Sequence, residues 1–319
     1  MIINFLIIIQ EIMNRGLNKI IVVIRKTRLD ELVKKYNTLE QAKFYIEHLG
    51  ADFSDYINEH TNYWEQVKKI KKVCEMKARI QVVDREYLPN LILGEEDIII
   101  VLGQDGLVAN TLKYTNGQPV IGVNPDPSRW DGVLLPFTPE QIGNAINKVL
   151  LKEYETKSVT MAEARLTNGE SIIAVNDLFI GRKTHVSARY SIMIDGKTDN
   201  QSSSGIIVST GLGSTGWYKS IITGARKVNR NKDTNFKGMD WSGEKLFYNV
   251  REPYPSNSTD TNIVFGEISK NQEIKIVSQM PEEGVIFSDG MEYDAVEFTA
   301  GMEAKIRVSD RKGVLVLNS

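Results

Sequence analysis

The sequence predicts an α/β N-terminal domain with a parallel sheet, followed by a C-terminal all-β, sandwich-like domain. The length of 319 residues is typical of two domains. In the first half, short apolar runs rich in β-branched residues alternate with helical patterns, as in parallel sheets. From about residue 155, short alternating runs separated by turn residues replace the helices. We therefore expect domains at residues 1–154 and 155–319.

The predicted N-terminal domain begins with residues 20–24, IIVVI, an apolar run that suits a buried strand. Further strands are expected at residues 80–83, 98–102 and 120–123. Helical patterns cover residues 27–36, 38–50 and 54–77. Thr38 and Gln41 have the spacing of a capping box, which predicts that the second helix begins there.

The C-terminal half is predicted to be almost entirely strand. One helix is expected at residues 217–228, and the polar residues 229–241 favour a loop. Strand candidates are residues 159–166, 171–180, 188–194, 205–210, 263–265, 273–277, 285–288, 305–308 and 314–317.

Composition argues against several classes of function. A net charge of −2 and a pI near 6.1 do not favour a nucleic-acid-binding protein. The single cysteine, Cys74, excludes an intramolecular disulfide, and three histidines with one cysteine make a zinc site an unfavoured reading. These features predict a reduced, cytoplasmic protein.

The N-terminus carries an apolar run at residues 2–9, IINFLIII, that resembles a targeting segment. It lacks the basic residues before it and the small residues after it that a signal peptide requires, and it is too short to span a bilayer. We therefore expect no membrane role. Residues 1–12 are interpreted as a mis-assigned upstream extension, with Met13 as the natural start.

The first candidate site follows the predicted strand at 98–102, where the chain reads Gly103-Gln104-Asp105-Gly106. Ligands of open α/β sheets bind at the carboxyl ends of strands. Glycines permit tight turns and allow backbone amides to approach phosphate oxygens. The alternative is a plain Asp-Gly turn without function.

The second candidate is residues 210–216, TGLGSTG, which spell the dinucleotide fingerprint GxGxxG. No clear strand follows the next helix to complete a βαβ unit, so the Rossmann interpretation fails. A phosphate- or ribose-binding loop and a glycine-rich connection without a ligand both remain open. Leu212 occupies the first glycine position of a nucleophile elbow and excludes that motif.

Two further polar pairs follow predicted strands. Asn176-Asp177 has an amide beside a carboxylate, which can bind a ribose diol or an adenine edge, but a strand-end Asx turn explains it equally well. Ser288-Asp289-Gly290 is most simply a hairpin turn.

Together these segments resemble the NAD kinase family, within the wider diacylglycerol kinase-like superfamily. Gly103-Gln-Asp-Gly106 stands where that family has Gly-Gly-Asp-Gly, and Asn176-Asp177 where it has Asn-Glu. Residues 119–124, PVIGVN, and 210–215, TGLGST, match its Pro-Val-(Leu/Ile)-Gly-(Ile/Val)-Asn and Thr-Pro-Thr-Gly-Ser-Thr segments. Residues 123–129 and 250–253 are most similar to the mitochondrial-type branch.

The resemblance implies an enzyme that transfers the γ-phosphate of ATP to the 2′-hydroxyl of NAD, giving NADP. It assigns Asp105 as general base, and Gly103, Gln104 and Gly106 to the nucleotide-binding turn. Asn176 and Asp177 would hold ribose and adenine. Gly213, Ser214 and Thr215 would line the cleft. It also implies Mg²⁺ arriving with ATP, and a homodimer or higher homo-oligomer.

The sequence departs from the family pattern at several of these positions. Gln104 replaces a glycine, Leu107 a threonine, and Asp177 the longer glutamate, while Gly211 and Leu212 replace Pro and Thr. Two alternatives therefore stay open: a kinase of another hydroxylated molecule (a sugar, lipid or nucleoside), or a nucleotide-binding protein without turnover. The phosphate donor, ATP or polyphosphate, also stays open.

Overall fold

The structure, a computed structural model, describes residues 19–230 and 236–318. Residues 1–12 and part of the predicted 229–241 loop lie outside the described residues. The chain divides into two compact units. One extends to Lys157 and includes Val314–Ser319, and the other is Ser158–Gly313.

The first unit contains a parallel sheet in the order β2–β1–β3–β4. Its strands are β1 (Lys19–Ile24), β2 (Arg79–Asp84), β3 (Ile98–Leu102) and β4 (Pro119–Val123). Every residue of β3 is buried, which explains its continuous apolar sequence. Val314 and Leu315, at the end of the chain's last strand, pair in parallel with β4.

The helices of the first unit are α1 (Arg28–Tyr36), α2 (Leu39–His48), α3 (Phe53–Glu75), α4 (Asp105–Leu112) and α5 (Ile142–Leu150). Helices α3 and α5 pack their apolar faces on the sheet, through residues such as Tyr63, Ile70 and Ile146. Helix α4 begins directly after the turn at Gly103 and Gln104, so its N-terminus lies at the carboxyl end of β3. Neither α4 nor α5 is apparent from the sequence pattern.

Local caps decide where the first helices begin. Thr38 accepts a hydrogen bond from the amide of Gln41, as its spacing predicts. Thr27 caps α1 through a reciprocal capping box with Asp30.

The second unit consists of antiparallel sheets packed face to face. One contains β5 (Thr156–Leu166), β6 (Ser171–Ala174), β8 (Ala188–Ile194), β9 (Lys197–Ser203), β13 (Glu273–Ser278) and β16 (Glu303–Val316). The other has the order β12–β11–β10–β7–β14–β15. Its strands are β7 (Asp177–Arg182), β10 (Ile206–Ser209), β11 (Lys245–Val250), β12 (Phe265–Ser269), β14 (Gly284–Ser288) and β15 (Met291–Glu297). Apolar residues of both sheets form one core, which confirms the predicted sandwich-like architecture.

Several strand predictions need correction. The run at residues 171–180 is broken at Val175-Asn176 into β6 and β7, and the predicted strands 305–308 and 314–317 are one strand, β16. Strands β9, β11 and β15 are absent from the prediction. Of the predicted strand at residues 263–265, only Phe265 lies in a strand, as the first residue of β12.

Helix α6 (Trp217–Val228) has the predicted bounds and packs on the outer face of the second sheet. A strand does follow it, contrary to expectation, but this strand, β11, pairs antiparallel with β10. A Rossmann βαβ unit requires parallel strands, so its exclusion stands. Within residues 19–230 and 236–318, no helix is long and apolar enough to cross a membrane.

Candidate functional site

The predicted site residues fall into two clusters, one in each unit. The first is the turn between β3 and α4. Gly103 is buried, Gln104 and Asp105 are half-buried, and Gly106 is exposed. Gln104 precedes the helix with an extended backbone, φ −118° and ψ 164°, so this position does not need glycine. In the described part of the chain its side chain makes no cap hydrogen bond.

The Asp105 carboxylate is held by a loop from elsewhere in the same unit. Its Oδ1 accepts a hydrogen bond of 2.7 Å from the amide of Leu134, and its Oδ2 accepts one of 3.2 Å from the amide of Val133. Each carboxylate oxygen has two lone pairs, so each keeps one for another partner. These bonds fix the orientation of the carboxylate.

Gly122, in β4, allows the backbone of Leu134 to pass close to this strand. A Cβ at residue 122 would lie 2.0 Å from the carbonyl oxygen of Leu134, so only glycine permits this approach. Gly122 belongs to the PVIGVN segment that carries part of the resemblance. Its role here is to bring the Leu134 backbone within reach of Asp105.

The second cluster begins at the break between β6 and β7. The Asp289 carboxylate accepts hydrogen bonds from three successive amides, those of Val175 (3.1 Å), Asn176 (2.6 Å) and Asp177 (3.2 Å). Asp289 and Gly290 have φ of 55° and 71° and join β14 to β15, which confirms the hairpin turn predicted there. The turn therefore also organises the Asn176-Asp177 pair.

The glycine-rich turn at 210–216 packs directly on Asn176. Thr210 donates its amide to the Asn176 carbonyl at 2.9 Å and its hydroxyl to the Val175 carbonyl at 2.6 Å. A Cβ at Gly213 would lie 2.1 Å from the backbone carbonyl oxygen of Asn176. The structure therefore brings together two of the predicted motifs, Asn176-Asp177 and the Gly213–Thr215 turn.

The hydroxyls of this turn are not equally available. Ser214 is fully buried; its Oγ donates to the Gly211 carbonyl at 2.6 Å and accepts from the Met239 amide at 2.9 Å. Its hydroxyl therefore holds the turn together rather than facing a ligand. Thr215 is exposed, and its hydroxyl donates to the Leu212 carbonyl at 3.3 Å.

Asp177 lies in an unusual environment. Burial raises the pKa of its carboxyl to about 7, with a smaller contribution from the charge of Asp289 and an opposing one from Ser209. Among the described residues, its buried Oδ1 has no hydrogen-bond partner. Asp177 can therefore donate or accept a proton near neutral pH. The side chain of Asn176, in contrast, is half-buried and makes no hydrogen bond to the described residues.

A cavity of about 480 Å³ opens in the second unit beside the start of α6. Trp217 stacks on Phe179 with ring centroids 5.9 Å apart, and Phe179 stacks on Phe287 at 4.7 Å. The guanidinium of Arg251 lies 5.4 Å from the centre of the Trp217 ring. Lysine, arginine and histidine side chains also line the cavity, together with one acid, Glu292.

The groups that orient the predicted residues are not apparent from the sequence. The sequence around Asp289 predicts only a turn, and the Val133 and Leu134 amides carry no sequence signal at all. The PVIGVN glycine was the one available hint, because a glycine inside a strand often marks a close backbone approach. Among the described residues, no group of three or more His, Cys, Asp or Glu side chains could hold a metal ion.

No family model matches the chain. Curated relatives include the NAD kinase of Chlorobaculum tepidum, 28% identical over 127 residues, which are 39% of this chain and 44% of the relative. Rat mitochondrial NAD kinase 2 is 24% identical over 303 residues, covering 74% of this chain and 71% of the relative. The chain thus matches less than half the length of the first of these relatives.

Solved structures show the same fold. A yeast NADH kinase complexed with NADH matches with a TM-score of 0.58 and 13% identity, covering 96% of this chain and 85% of that one. An NAD kinase from Archaeoglobus fulgidus in complex with ATP matches with a TM-score of 0.54 and 18% identity, covering 94% of both chains. The chain is therefore similar in sequence to NAD kinases over part of its length, and it shares their fold.

Proposed function

We propose that this protein is a phosphotransferase that moves the γ-phosphate of ATP to the 2′-hydroxyl of NAD. The observation that carries this proposal is the Asp105 carboxylate, fixed by two backbone amides at the carboxyl end of β3. That is the position where open α/β sheets bind their ligands. The names of the relatives and of the solved structures agree with this chemistry.

Asp105 is the residue assigned to the chemical step. In that step the 2′-oxygen forms a bond to the γ-phosphorus, the bond from phosphorus to the bridging oxygen of ADP breaks, and ADP leaves with that electron pair. The proton of the hydroxyl passes to the free lone pair of the Asp105 carboxylate. Gly103, Gln104 and Gly106 shape the turn through which phosphate approaches.

The second cluster is proposed to hold the dinucleotide. The half-buried amide of Asn176 and the carboxyl of Asp177, whose Oδ1 has no partner among the described residues, can bind ribose hydroxyls or an adenine edge. Gly213 keeps the neighbouring turn close to Asn176, Ser214 stabilises that turn from within, and the exposed Thr215 is proposed to line the cleft. The aromatic and cationic cavity beside Trp217 suits a molecule that combines planar rings with phosphates.

The remaining parts of the proposal concern the donor, the assembly and the compartment. Mg²⁺ is proposed to enter as the ATP complex, because protein sites usually hold this ion through substrate phosphates and one or two carboxylates. We also propose a homodimer or higher homo-oligomer, on the family resemblance. The single cysteine favours the cytoplasm, whereas the rat relative is by name mitochondrial.

The test is incubation with ATP and Mg²⁺, or with polyphosphate, and a panel of acceptors that includes NAD, NADH, sugars, lipids and nucleosides. Phosphate transfer to NAD or NADH is expected. Transfer to another acceptor would instead indicate a different kinase. Nucleotide binding without any transfer would indicate a binding protein.

Asp105→Asn tests the assigned base in the same assay. It keeps the side-chain shape and one hydrogen-bond acceptor but removes the proton acceptor. Turnover should fall about 10²–10⁴-fold, as is typical when a general base is deleted. NAD affinity should change far less, because the residues proposed to bind NAD lie in the second cluster.

The matched control is Asp131→Asn, which changes an exposed acid in the nearby loop and should keep full activity. Thermal midpoints should confirm that both variants fold. If the turnover of the folded Asp105→Asn protein is within a few-fold of wild type, Asp105 is not the general base.

A further inference from the structure

The orientation of the Asp105 carboxylate depends on the loop formed by residues 124–135, which is called the 124–135 loop below. Both amides that hold the carboxylate, those of Val133 and Leu134, belong to this loop. Helix α4 supplies the backbone of Asp105 but none of the hydrogen bonds to its carboxylate. Any shift of the loop must therefore turn or release the carboxylate.

The inner side of the loop is fixed by Asn124. This residue is only 4% exposed. Its side-chain amide donates to the Trp130 carbonyl at 2.8 Å, and its side-chain oxygen accepts from the Asp126 amide at 3.0 Å. Gly132 has φ +66°, and a Cβ there would lie 2.7 Å from the Asn124 amide nitrogen. Asn124 therefore holds the loop at Asp126 and Trp130.

A second contact holds the loop at Arg129, which forms an ion pair with α3. The guanidinium of Arg129 donates to both carboxylate oxygens of Asp55, on α3, at 2.5 and 3.2 Å. Asp55 also accepts from Arg28 at 2.7 Å. Arg28 in turn pairs with the buried Glu59, which binds Arg25 at 2.9 Å. The loop is thus linked through α3 to the residue that follows β1.

This ion pair is better suited to orienting the loop than to stabilising the fold. The side chains of Asp55 and Arg129 are 43% and 26% exposed, and ion pairs with this much solvent contact contribute little to stability. A bidentate arginine–carboxylate contact does, however, impose a fixed geometry. Arg129, followed by Arg28, holds the pKa of the Asp55 carboxyl well below its usual range, so the pair stays ionised at neutral pH.

We propose that Arg129 and Asp55 are positioning residues for Asp105, holding the 124–135 loop so that its amides orient the carboxylate for phosphoryl transfer. This inference rests on the proposed role of Asp105 as base. Neither residue touches the reacting atoms in this scheme. The pair acts through the loop, and the loop acts through two hydrogen bonds.

The test compares Arg129→Lys and Asp55→Asn with wild type. Lysine keeps the charge of Arg129 but loses its two-pronged contact, and asparagine removes the charge of Asp55. Both variants should lose about 10- to 100-fold in kcat, the scale expected when a reacting group is misplaced by about 1 Å. KM for both substrates and the thermal midpoint should change little. Lys69→Gln breaks another ion pair of α3, with Glu140, and is the matched control that should leave kcat unchanged.

A double variant separates positioning from an independent role. If Arg129 acts only through Asp105, adding Arg129→Lys to Asp105→Asn should cause no further loss of kcat. A further loss as large as that in the wild-type background would overturn the proposal. So would an Arg129→Lys variant with wild-type kcat, or one whose loss appears equally in Lys69→Gln.

Amide hydrogen exchange keeps the inference testable if the protein transfers no phosphate. The backbone around Val133 and Leu134 should exchange faster in Arg129→Lys than in wild type, and not in Lys69→Gln. Unchanged exchange would refute the positioning role, whatever the activity. Faster exchange in a protein that phosphorylates no acceptor would retain the role of Arg129 in holding the loop and would discard the proposed function.

Discussion

Replacing Gly213 with alanine should distort the second cluster, because this glycine lies against backbone rather than a mobile side chain. The new Cβ would be 2.1 Å from the Asn176 oxygen and 2.5 Å from its carbonyl carbon, whereas real Cβ contacts stay beyond 3.0 Å. The turn would have to retreat by about 0.9 Å. Neither backbone can move away without disturbing the end of β10 or the start of β7.

The size of the effect follows from the bonds that this retreat strains. The Gly213 amide donates to the Thr210 hydroxyl at 3.1 Å, and the Thr210 amide donates to the Asn176 carbonyl at 2.9 Å. A buried amide without its partner costs about 1–3 kcal/mol, and overpacking costs about 1–3 kcal/mol. Together these costs predict a loss of about 2–6 kcal/mol in the free energy of unfolding. The thermal midpoint should then fall by roughly 4–24 °C.

The assay is thermal unfolding by circular dichroism, together with NAD affinity by calorimetry. Gly224→Ala is the matched control, because a Cβ at this position in α6 meets no atom within 4 Å. That variant should be as stable as wild type or more so, since alanine favours a helix over glycine by about 1 kcal/mol. Gly213→Ala with a midpoint within about 2 °C of wild type and unchanged NAD affinity would refute the reasoning.

Two further predictions concern carboxylates of the second cluster. Asp289→Gly suits φ of 55° and removes only the carboxylate that accepts the Val175, Asn176 and Asp177 amides; the free energy of unfolding in urea should fall by about 2–4 kcal/mol. Asp289→Asn should recover part of this loss, and a Gly variant as stable as wild type would contradict the assigned role. Burial raises the pKa of the Asp177 carboxyl to about 7. The folded state therefore binds the carboxyl proton more tightly than the unfolded chain does. As a result, the ionised Asp177 lowers the free energy of unfolding more and more as pH rises from about 4 to about 7. Asp177→Asn should therefore stabilise the protein more at about pH 8 than at about pH 5 in urea titrations, and an equal gain at both would argue against the raised pKa.

Much of the fold was predictable because local sequence patterns reflect burial. Strands β3 and β8 and helix α6 have the predicted bounds. Their apolar residues recur with the period of the element, or fill it completely where both faces are covered. The change from alternating helices and strands to short strands alone was enough to predict both architectures.

Strand β9 shows why other elements escaped prediction. Its sequence, KTDNQSS, is polar, yet four of its residues are buried. Gln201 and Ser203 bind the Tyr190 hydroxyl, and Asp199 accepts the amides of Asn262 and Ile263. These hydrogen bonds satisfy the buried polar side chains of β9. Because the partners lie on other strands and loops, the sequence of β9 itself contains no pattern that predicts a strand.

The sequence by itself determined which segments we propose as the site, because glycines, an acid and an amide at strand ends form motifs that can be read locally. It singled out Asp105, Asn176 and the turn at Gly213. Only the tertiary structure decided how these groups are oriented. The Asp289 carboxylate reaches Asn176 across 113 positions of sequence, and the Leu134 amide reaches Asp105 across 29. Such hydrogen bonds depend on the packing of distant backbone segments, and no local pattern of residues encodes that packing.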